Sequence, residues 1–382
     1  MEDHPVKGPV ILLLAGEASG DLHGAHVARA LRARFPNCEI VGTGGGRMAA
    51  EGVELLAELE DLAVMGFVEV LSRLPFFWKL ERRVRRILTS GRIDLVIPID
   101  YPGFNLRITE AAHRAGVPVL FFIAPQVWAW KAGRTQRLAR AADRIAVILP
   151  FEAELFRAEG GRASYVGHPL LDHVEEVPDR DTFCRRWHLD PDRPILALFP
   201  GSRAQELDRL LDPFIQAARR LAASHPDLQV AIARAPDLEI ERSLADGLPQ
   251  VTDGRGLLRH SRAALVKSGT ATLEAALEGT PFVVAYRTHP LTFWLARRVV
   301  RVEHVALANL VADTRVVPEL LQGEVTPNRL VEEIQPLLED TPVRREMVTA
   351  LARIRERLGE PGAADRVAAM AEEILRERGR IE

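Results

Sequence analysis

Short apolar runs recur along this chain at intervals that leave room for one helix between neighbours. This alternation constrains the fold more than any other feature. Runs at 10–15, 39–43, 94–99, 118–123, 144–149 and 163–166 lack polar alternation, the pattern of parallel strands buried on both faces. Helical patterns at 22–34, 104–115 and 134–141 lie between them. Such a succession predicts a mostly parallel sheet covered by helices on both sides. After a proline- and charge-rich connector at 167–194, runs at 195–199, 228–233, 263–267 and 281–285 repeat the pattern, and from about 327 the chain reads as helical. The expectation is an α/β protein of two doubly wound domains, 1–170 and 171–344, facing each other across a cleft.

The totals agree with this. A length of 382 residues suits two domains, and 47% hydrophobic with 27% charged residues is ordinary globular composition. A net charge of −3 argues against wholesale nucleic-acid binding. Cys38 and Cys184 show no metal-ligand spacing and suit a reduced cytosol. "MEDHPVKGP" has no signal-peptide character, and the longest apolar run, 117–130, is too short and broken to span a bilayer.

Chemistry is expected at the carboxyl ends of the strands, where open α/β sheets place ligands. The first turn, "AGEASGD" (15–21), carries Gly16, Glu17, Ser19, Gly20 and Asp21. Ser19 or Asp21 could cap the next helix, or the turn could meet a ligand; the spacing is not G-x-G-x-x-G, so a nicotinamide site is disfavoured. "RIDLVIPIDYPGFNLRI" (92–108) ends a strand in Asp100, a candidate general base or a helix cap. His23, His26 and His168 are rival bases that read as structural histidines.

In the second half, "ALFPGSRAQEL" (197–207) places Ser202 and Arg203 at a helix start, where an anion is welcome and a lone cation is not. "AALVKSGTATLEAALEGTPFVVAY" (263–286) runs a strand into Ser268, Gly269 and Thr270, with Glu274 one turn into the helix and placed to accept from ribose hydroxyls. Each turn has a plain strand–helix reading as well. "DRD" (179–181) and "DPD" (190–192) lie in the connector and read as loop chemistry, so no catalytic metal is implied.

"RLPFFWKLERRVRRIL" (73–88) puts Phe76, Phe77, Leu80, Val84, Ile87 and Leu88 on one helix face and Lys79, Arg82, Arg83 and Arg86 on the other. That profile suits an interfacial helix on an anionic membrane, or an ordinary helix with its apolar face in the core. "PLTFWLARRVVRVEHV" (290–305) repeats the chemistry.

Taken in chain order, "AGEASGD" (15–21), "LAVMGFVEVL" (62–71), "IDYPGFN" (99–105), "PQVWAW" (125–130), "VGHPLLD" (166–172), "FPGSR" (199–203), "KSGTATLE" (267–274) and "TFWLARR" (292–298) resemble the bacterial lipid-A-disaccharide synthase family. Its members are glycosyltransferases of the two-Rossmann-domain, or GT-B, type. "ALANLVA" (306–312) departs from the family's Leu-Pro-Asn, although Asn309 keeps the asparagine.

The resemblance implies an inverting transfer without metal or other cofactor. It joins UDP-2,3-diacylglucosamine to 2,3-diacylglucosamine 1-phosphate, giving a β-1,6 disaccharide and UDP. It implies UDP contacts from Gly201, Ser202, Arg203, Ser268, Gly269, Thr270, Glu274 and Asn309. Gly16, Glu17, Ser19, Asp21 and Asn105 fall on the acceptor side, with Asp100 as base. It also implies a cytoplasmic protein held peripherally on anionic lipid of the inner membrane face, through Phe76, Phe77, Lys79, Arg82, Arg83 and Arg86. A homodimer is a further implication, with the helices from about 345 to 382 packed back on the first domain or exchanged. No nucleic-acid partner is implied. Two other readings stay open: a UDP-sugar epimerase on the same fold, and a non-catalytic membrane-associated nucleotide-binding protein.

Overall fold

The structure is a computed structural model that describes residues 8–62, 67–125, 132–172, 176–236, 238–289, 293–294 and 304–381. Two compact units divide the chain: 1–173 together with 360–382, and 174–359.

The first unit contains β1 (Val10–Leu14), β2 (Glu39–Gly44), β3 (Glu54–Glu58), β4 (Leu95–Pro98), β5 (Leu120–Phe122), β6 (Arg144–Val147) and β7 (Ala163–Tyr165). Strands run in the order β3-β2-β1-β4 and β5-β6-β7, and parallel bridges Val96↔Val119 and Ile99↔Phe122 join the two sets. Both faces of this sheet are covered, which is why β1 reads as five consecutive apolar residues. Leu12 and Leu14 enter one core with Val84, Val96 and Ile108, while Ile11 and Leu13 enter another with Val27, Leu31, Val367 and Ile374. Side chains alternate across a strand, so a strand buried on both faces must be apolar at every position.

The second unit contains β8 (Ile195–Phe199), β9 (Gln229–Ala233), β10 (Gln250–Val251), β11 (Ala263–Lys267), β12 (Phe282–Tyr286) and β13 (Glu319–Leu321), in the order β10-β9-β8-β11-β12-β13 with parallel pairing. In each unit the strand order reverses beside the first strand, between β1 and β4 and between β8 and β11. These are the switch points at which doubly wound sheets bind ligands.

Three strands escape the apolar-run pattern: β3, β10 and β13. Each is the edge of its sheet. An edge strand has one open flank and tolerates polar residues, as "ELLAE" in β3 shows.

The terminal helices part company at Gly359. Helix Pro342–Leu358 belongs to the second unit, and helix Ala363–Glu377 packs on the first unit of the same chain, in the core around Ile11 and Leu31. Pairs Arg34–Glu372 and Arg144–Glu377, each at 2.6 Å, border that contact. The sequence groups both helices from about 345; the break "GEPGAA", with Gly359 at φ 69° and Gly362 at φ 102°, is where the chain crosses back.

Candidate active site

At the first switch point, β1 ends in Gly16-Glu17 and β4 in Asp100-Tyr101. Glu17, not Ser19 or Asp21, is the cap of helix Ala18–Arg34, and no side chain closes that cap. Glu17 and Ser19 are exposed. Asp21 is buried, and its carboxylate accepts from the backbone N–H groups of Gly45 (2.7 Å), Arg47 (3.2 Å) and Met48 (3.1 Å). It therefore pins the glycine-rich turn "GTGGGRM" (42–48), a structural duty that the acceptor-side expectation did not foresee. The spacing could not show this, because the donors lie on another strand's turn.

Asn105 also has a duty within the fold. It is buried, and its amide donates to the carbonyls of Leu14 (3.2 Å), Ile99 (3.1 Å) and Asp100 (2.8 Å). It ties together the carboxyl ends of β1 and β4 and holds a strained turn. Asp100 (φ 45°) and Tyr101 (φ 49°) are consecutive left-handed residues with side chains, an arrangement costing about 1–2 kcal/mol per residue. The Tyr101 ring lies over Gly16, where a Cβ would come within 2.4 Å of it, and the Tyr101 hydroxyl donates to the Leu62 carbonyl at 3.3 Å.

This turn sets the Asp100 carboxyl in a largely buried place. Burial first, and Glu17 second, push its pKa up to about 6, against the lowering effect of the Tyr101 N–H. At neutral pH it is then mostly ionised and a better base than an exposed aspartate. The rival His168 is buried, accepts from the Leu170 N–H at 3.2 Å, and is pushed down to about 4 by that burial. It is a neutral structural imidazole.

At the second switch point a pocket of about 390 Å³ opens, a size suited to a small ligand. Gly201, Ser202, Gly269, Thr270 and Glu274 all line it. The parallel pairing of Val266 with Phe199 sets the "PGSR" and "SGT" turns side by side. Burial, then Glu278, raises the Glu274 pKa, with Arg255 opposing.

Arg203 is exposed and is itself the cap residue of helix Ala204–Ser224, with Ser202 just before the helix. Ser268 is buried and donates through its hydroxyl to the Val305 carbonyl at 3.1 Å. Asn309 is fully buried; it donates to the Val317 carbonyl (3.0 Å) and Glu319 Oε1 (2.8 Å) and accepts from the N–H groups of Val316 (2.8 Å) and Val317 (2.9 Å). Both ends of its amide are engaged within the fold, a duty that the expected UDP contact did not foresee. The pocket adds residues that motif spacing does not single out, chiefly Glu206, Arg234, Arg255 and Lys267. The connector aspartates act locally: Asp179 caps helix Arg180–Trp187 by accepting from the Thr182 N–H at 2.9 Å.

Helix Phe67–Thr89 turns its apolar stripe inward. Leu80, Val84 and Leu88 are core, and Phe76, Phe77 and Ile87 pack half-buried against it, with Phe77 6.5 Å from the Phe104 ring. Phe76 and Phe77 thus lie partly on the core, as the alternative reading of an ordinary amphipathic helix has it. Outside stand Lys79, Arg82, Arg83 and Arg86, together with Trp78 at 69% exposure. The second basic stretch, 290–305, lies almost wholly outside the described residues, as do parts of "LAVMGFVEVL", "PQVWAW" and "TFWLARR". Among the described residues no helix is long and apolar enough to cross a membrane.

Two doubly wound units with parallel sheets, one of them with a pocket of about 390 Å³ at its switch point, are the α/β architecture of the GT-B fold. A putative UDP-N-acetylglucosamine 2-epimerase from Listeria monocytogenes superposes with a TM-score of 0.66 at 14% identity, covering 97% of each chain. The glycotransferase of kitacinnamycin superposes at 0.63 and 15% identity, over 97% of this chain and 100% of that one. These likenesses carry the fold alone.

The family is given by sequence. The family model for lipid-A-disaccharide synthetase matches residues 11–374. Lipid-A-disaccharide synthases of Myxococcus xanthus and Syntrophotalea carbinolica are 44% and 43% identical, covering 96% and 98% of this chain and 98% of each relative. The chain belongs to the lipid-A-disaccharide synthase family and is a glycosyltransferase of lipid A biosynthesis.

Proposed function

We propose that the chain transfers 2,3-diacylglucosamine from its UDP donor to the 6-hydroxyl of 2,3-diacylglucosamine 1-phosphate, with inversion. The observation that carries this reading is the pairing of family membership over residues 11–374 with Asp100, a half-buried carboxyl of raised pKa at a switch point. An alcohol is too weak an acid to ionise beforehand, so a base must take its proton as the C–O bond forms. Direct displacement at the anomeric carbon needs only that one base. The donor's uridine and phosphates go to the second unit's pocket, with Glu274 on the ribose and the Ser202, Gly269 and Thr270 backbone toward the phosphates. Arg203 adds charge as UDP departs. Glu17, which acts electrostatically on Asp100, and Ser19 in the same turn are the exposed polar groups that serve the acceptor. No metal or other cofactor enters this scheme, and the protein serves either alone or as a homodimer.

Incubation with UDP-2,3-diacylglucosamine and radiolabelled acceptor, followed by chromatography of the lipids, tests the reading. A labelled disaccharide 1-phosphate is expected. An epimerised donor with unchanged acceptor would establish the epimerase alternative, and UDP binding without product the non-catalytic one.

The substrates' acyl chains call for a membrane surface, and we assign it to the outer face of helix Phe67–Thr89, where Trp78 supplies the apolar anchor and Lys79, Arg82, Arg83 and Arg86 the charge. Each cation near an anionic surface contributes about 1 kcal/mol. Replacing Arg82, Arg83 and Arg86 by Ser should release the protein from sedimenting anionic vesicles while leaving its thermal midpoint near wild type. Phe76→Ser with Phe77→Ser should instead lower the midpoint, because both rings pack on the core. Unchanged vesicle binding in the Arg variant would move the membrane face elsewhere.

A further inference from the structure

The donor pocket already holds an anion, and it is one of the chain's own side chains. Glu206 lies in the first turn of helix Ala204–Ser224, and one carboxylate oxygen accepts from the Ser202 N–H at 2.9 Å. The other oxygen pairs with the Lys267 ammonium at 2.8 Å. Both side chains line the pocket between the "PGSR" and "SGT" turns. Gly201 makes the arrangement fit: at φ 133° it has no Cβ, and one placed there would come within 2.5 Å of the Glu206 side chain.

We propose that Lys267 is a phosphate-binding cation of the donor site, and that Glu206 occupies the phosphate's place until the donor displaces it. The proposal rests on the UDP reading above and names the exchange by which that site fills.

The argument is one of shared partners. A backbone N–H and an ammonium converging on one spot form an anion seat. The Ser202 N–H cannot serve a carboxylate and a phosphate oxygen at once. A diphosphate entering beside an ionised carboxylate meets like-charge repulsion. Glu206 is ionised in this seat: burial would raise its pKa, but Lys267, the Ser202 N–H and Arg203 outweigh burial and hold it low. The other pocket cations are held differently. Arg234 donates to the carbonyls of Ala235, Pro236 and Leu238, and Arg255 pairs with Glu278 outside the pocket lining. Lys267 is held by a carboxylate that itself lines the site, so releasing it to a phosphate exchanges one anion for another. The ammonium is never left half-buried without a partner, a state that would be costly.

Calorimetric titration of UDP into the wild type and into Lys267→Met, Glu206→Gln and the double variant tests this, with a thermal midpoint recorded for each. Lys267→Met should weaken UDP roughly tenfold or more, the loss expected for a charge-assisted contact. Glu206→Gln removes the competing charge at constant shape and should tighten UDP several-fold. In the double variant that gain should vanish. UDP affinity in Lys267→Met equal to wild type would overturn the role of Lys267, whether or not the Glu206 variant folds. Affinity in a folded Glu206→Gln that is equal to or weaker than wild type would make the pair a structural bridge and overturn the exchange. If the wild type itself binds no UDP, the donor-pocket reading fails first and this one with it.

Discussion

The turns at the two switch points are built on one topology and do opposite electrostatic work. Between β1 and β4 the polar side chains turn inward. Asp21 accepts from three N–H groups of the 45–48 turn, and Asn105 donates to three carbonyls, one of them that of Asp100 in the strained Asp100–Tyr101 pair. What remains is one carboxyl made more basic by burial and by Glu17. Between β8 and β11 the turns stay open around a pocket lined by Arg234, Arg255 and Lys267. In the function proposed above, the first turn tunes a proton acceptor and the second, lined by both cations and carboxylates, receives the departing charge.

The largest effect should separate the two. Asp100→Asn is expected to lower kcat by about 10²–10⁴, the usual contribution of a general base. UDP affinity, read by calorimetry, should stay within a few-fold of wild type, since Asp100 belongs to the other unit. Near-normal kcat would remove the first turn from the chemistry. Next in size is Arg203→Ala. Loss of a hydrogen bond to a charged group costs about 1.5–3 kcal/mol, roughly ten- to a hundredfold in UDP affinity, with kcat falling as well. Unchanged UDP affinity would leave the phosphate site to Lys267 and the backbone.

A smaller effect concerns stability and runs the other way. A carboxyl whose pKa is raised in the folded state binds protons there more readily than when unfolded, so stability falls as pH rises through the interval between the two values. For Asp100 that interval runs from the ordinary aspartate value of 3.8 to about 6. Above it, the ionised group costs up to about 3 kcal/mol at about 1.36 kcal/mol per unit. Asp100→Asn should therefore be more stable than wild type at pH 7.5, and the gain should disappear below pH 4. Denaturant titrations at the two pH values check this. An equal difference at both would mean that the carboxyl is not strained by its burial.

The doubly wound architecture was legible because burial on both faces forces uninterrupted apolar runs, and β1, β8 and β11 carry that mark. The edge strands β3 and β13 were not, since an open flank relaxes the requirement. The candidate site divides in the same way. Asp100, Gly201, Ser202, Gly269, Thr270 and Glu274 sit at strand ends that the pattern locates, and the structure keeps them at the switch points. Asp21, Asn105 and Asn309 stand in the same stretches, yet the fold engages them: Asp21 accepts from backbone N–H groups, Asn105 donates to carbonyls, and Asn309 bonds backbone groups and the Glu319 carboxylate. Motif position says that a side chain is near the site, not whether its hydrogen bonds are already taken. Lys267 and Glu206 show the reverse: each looks like an ordinary charge in its own helix or strand, and only the pairing of β8 with β11 brings them together.

The smallest expected effect is the sharpest test of how the first turn is tuned. With the ionised form of Asp100 as the proposed base, kcat/KM should fall tenfold per unit below a pH of about 6, the value to which burial and Glu17 raise this carboxyl. Burial is the larger cause of that position and Glu17 the smaller one. Glu17→Gln removes a negative charge without changing the size of the side chain, so the acid limb should move down by a fraction of a unit. Glu17 is exposed, so its influence passes partly through solvent and should be screened as ionic strength rises. The wild-type limb should drift toward that of the variant in high salt, while the variant's limb stays still. If the two limbs coincide at low salt, burial alone sets the basicity of Asp100, and Glu17 is left to the acceptor. If instead the Gln variant loses kcat without moving the limb, Glu17 touches the substrate and does not tune the base. Arg203→Ala should leave the limb where it is, and a shift there would mean that the two turns are not electrostatically independent.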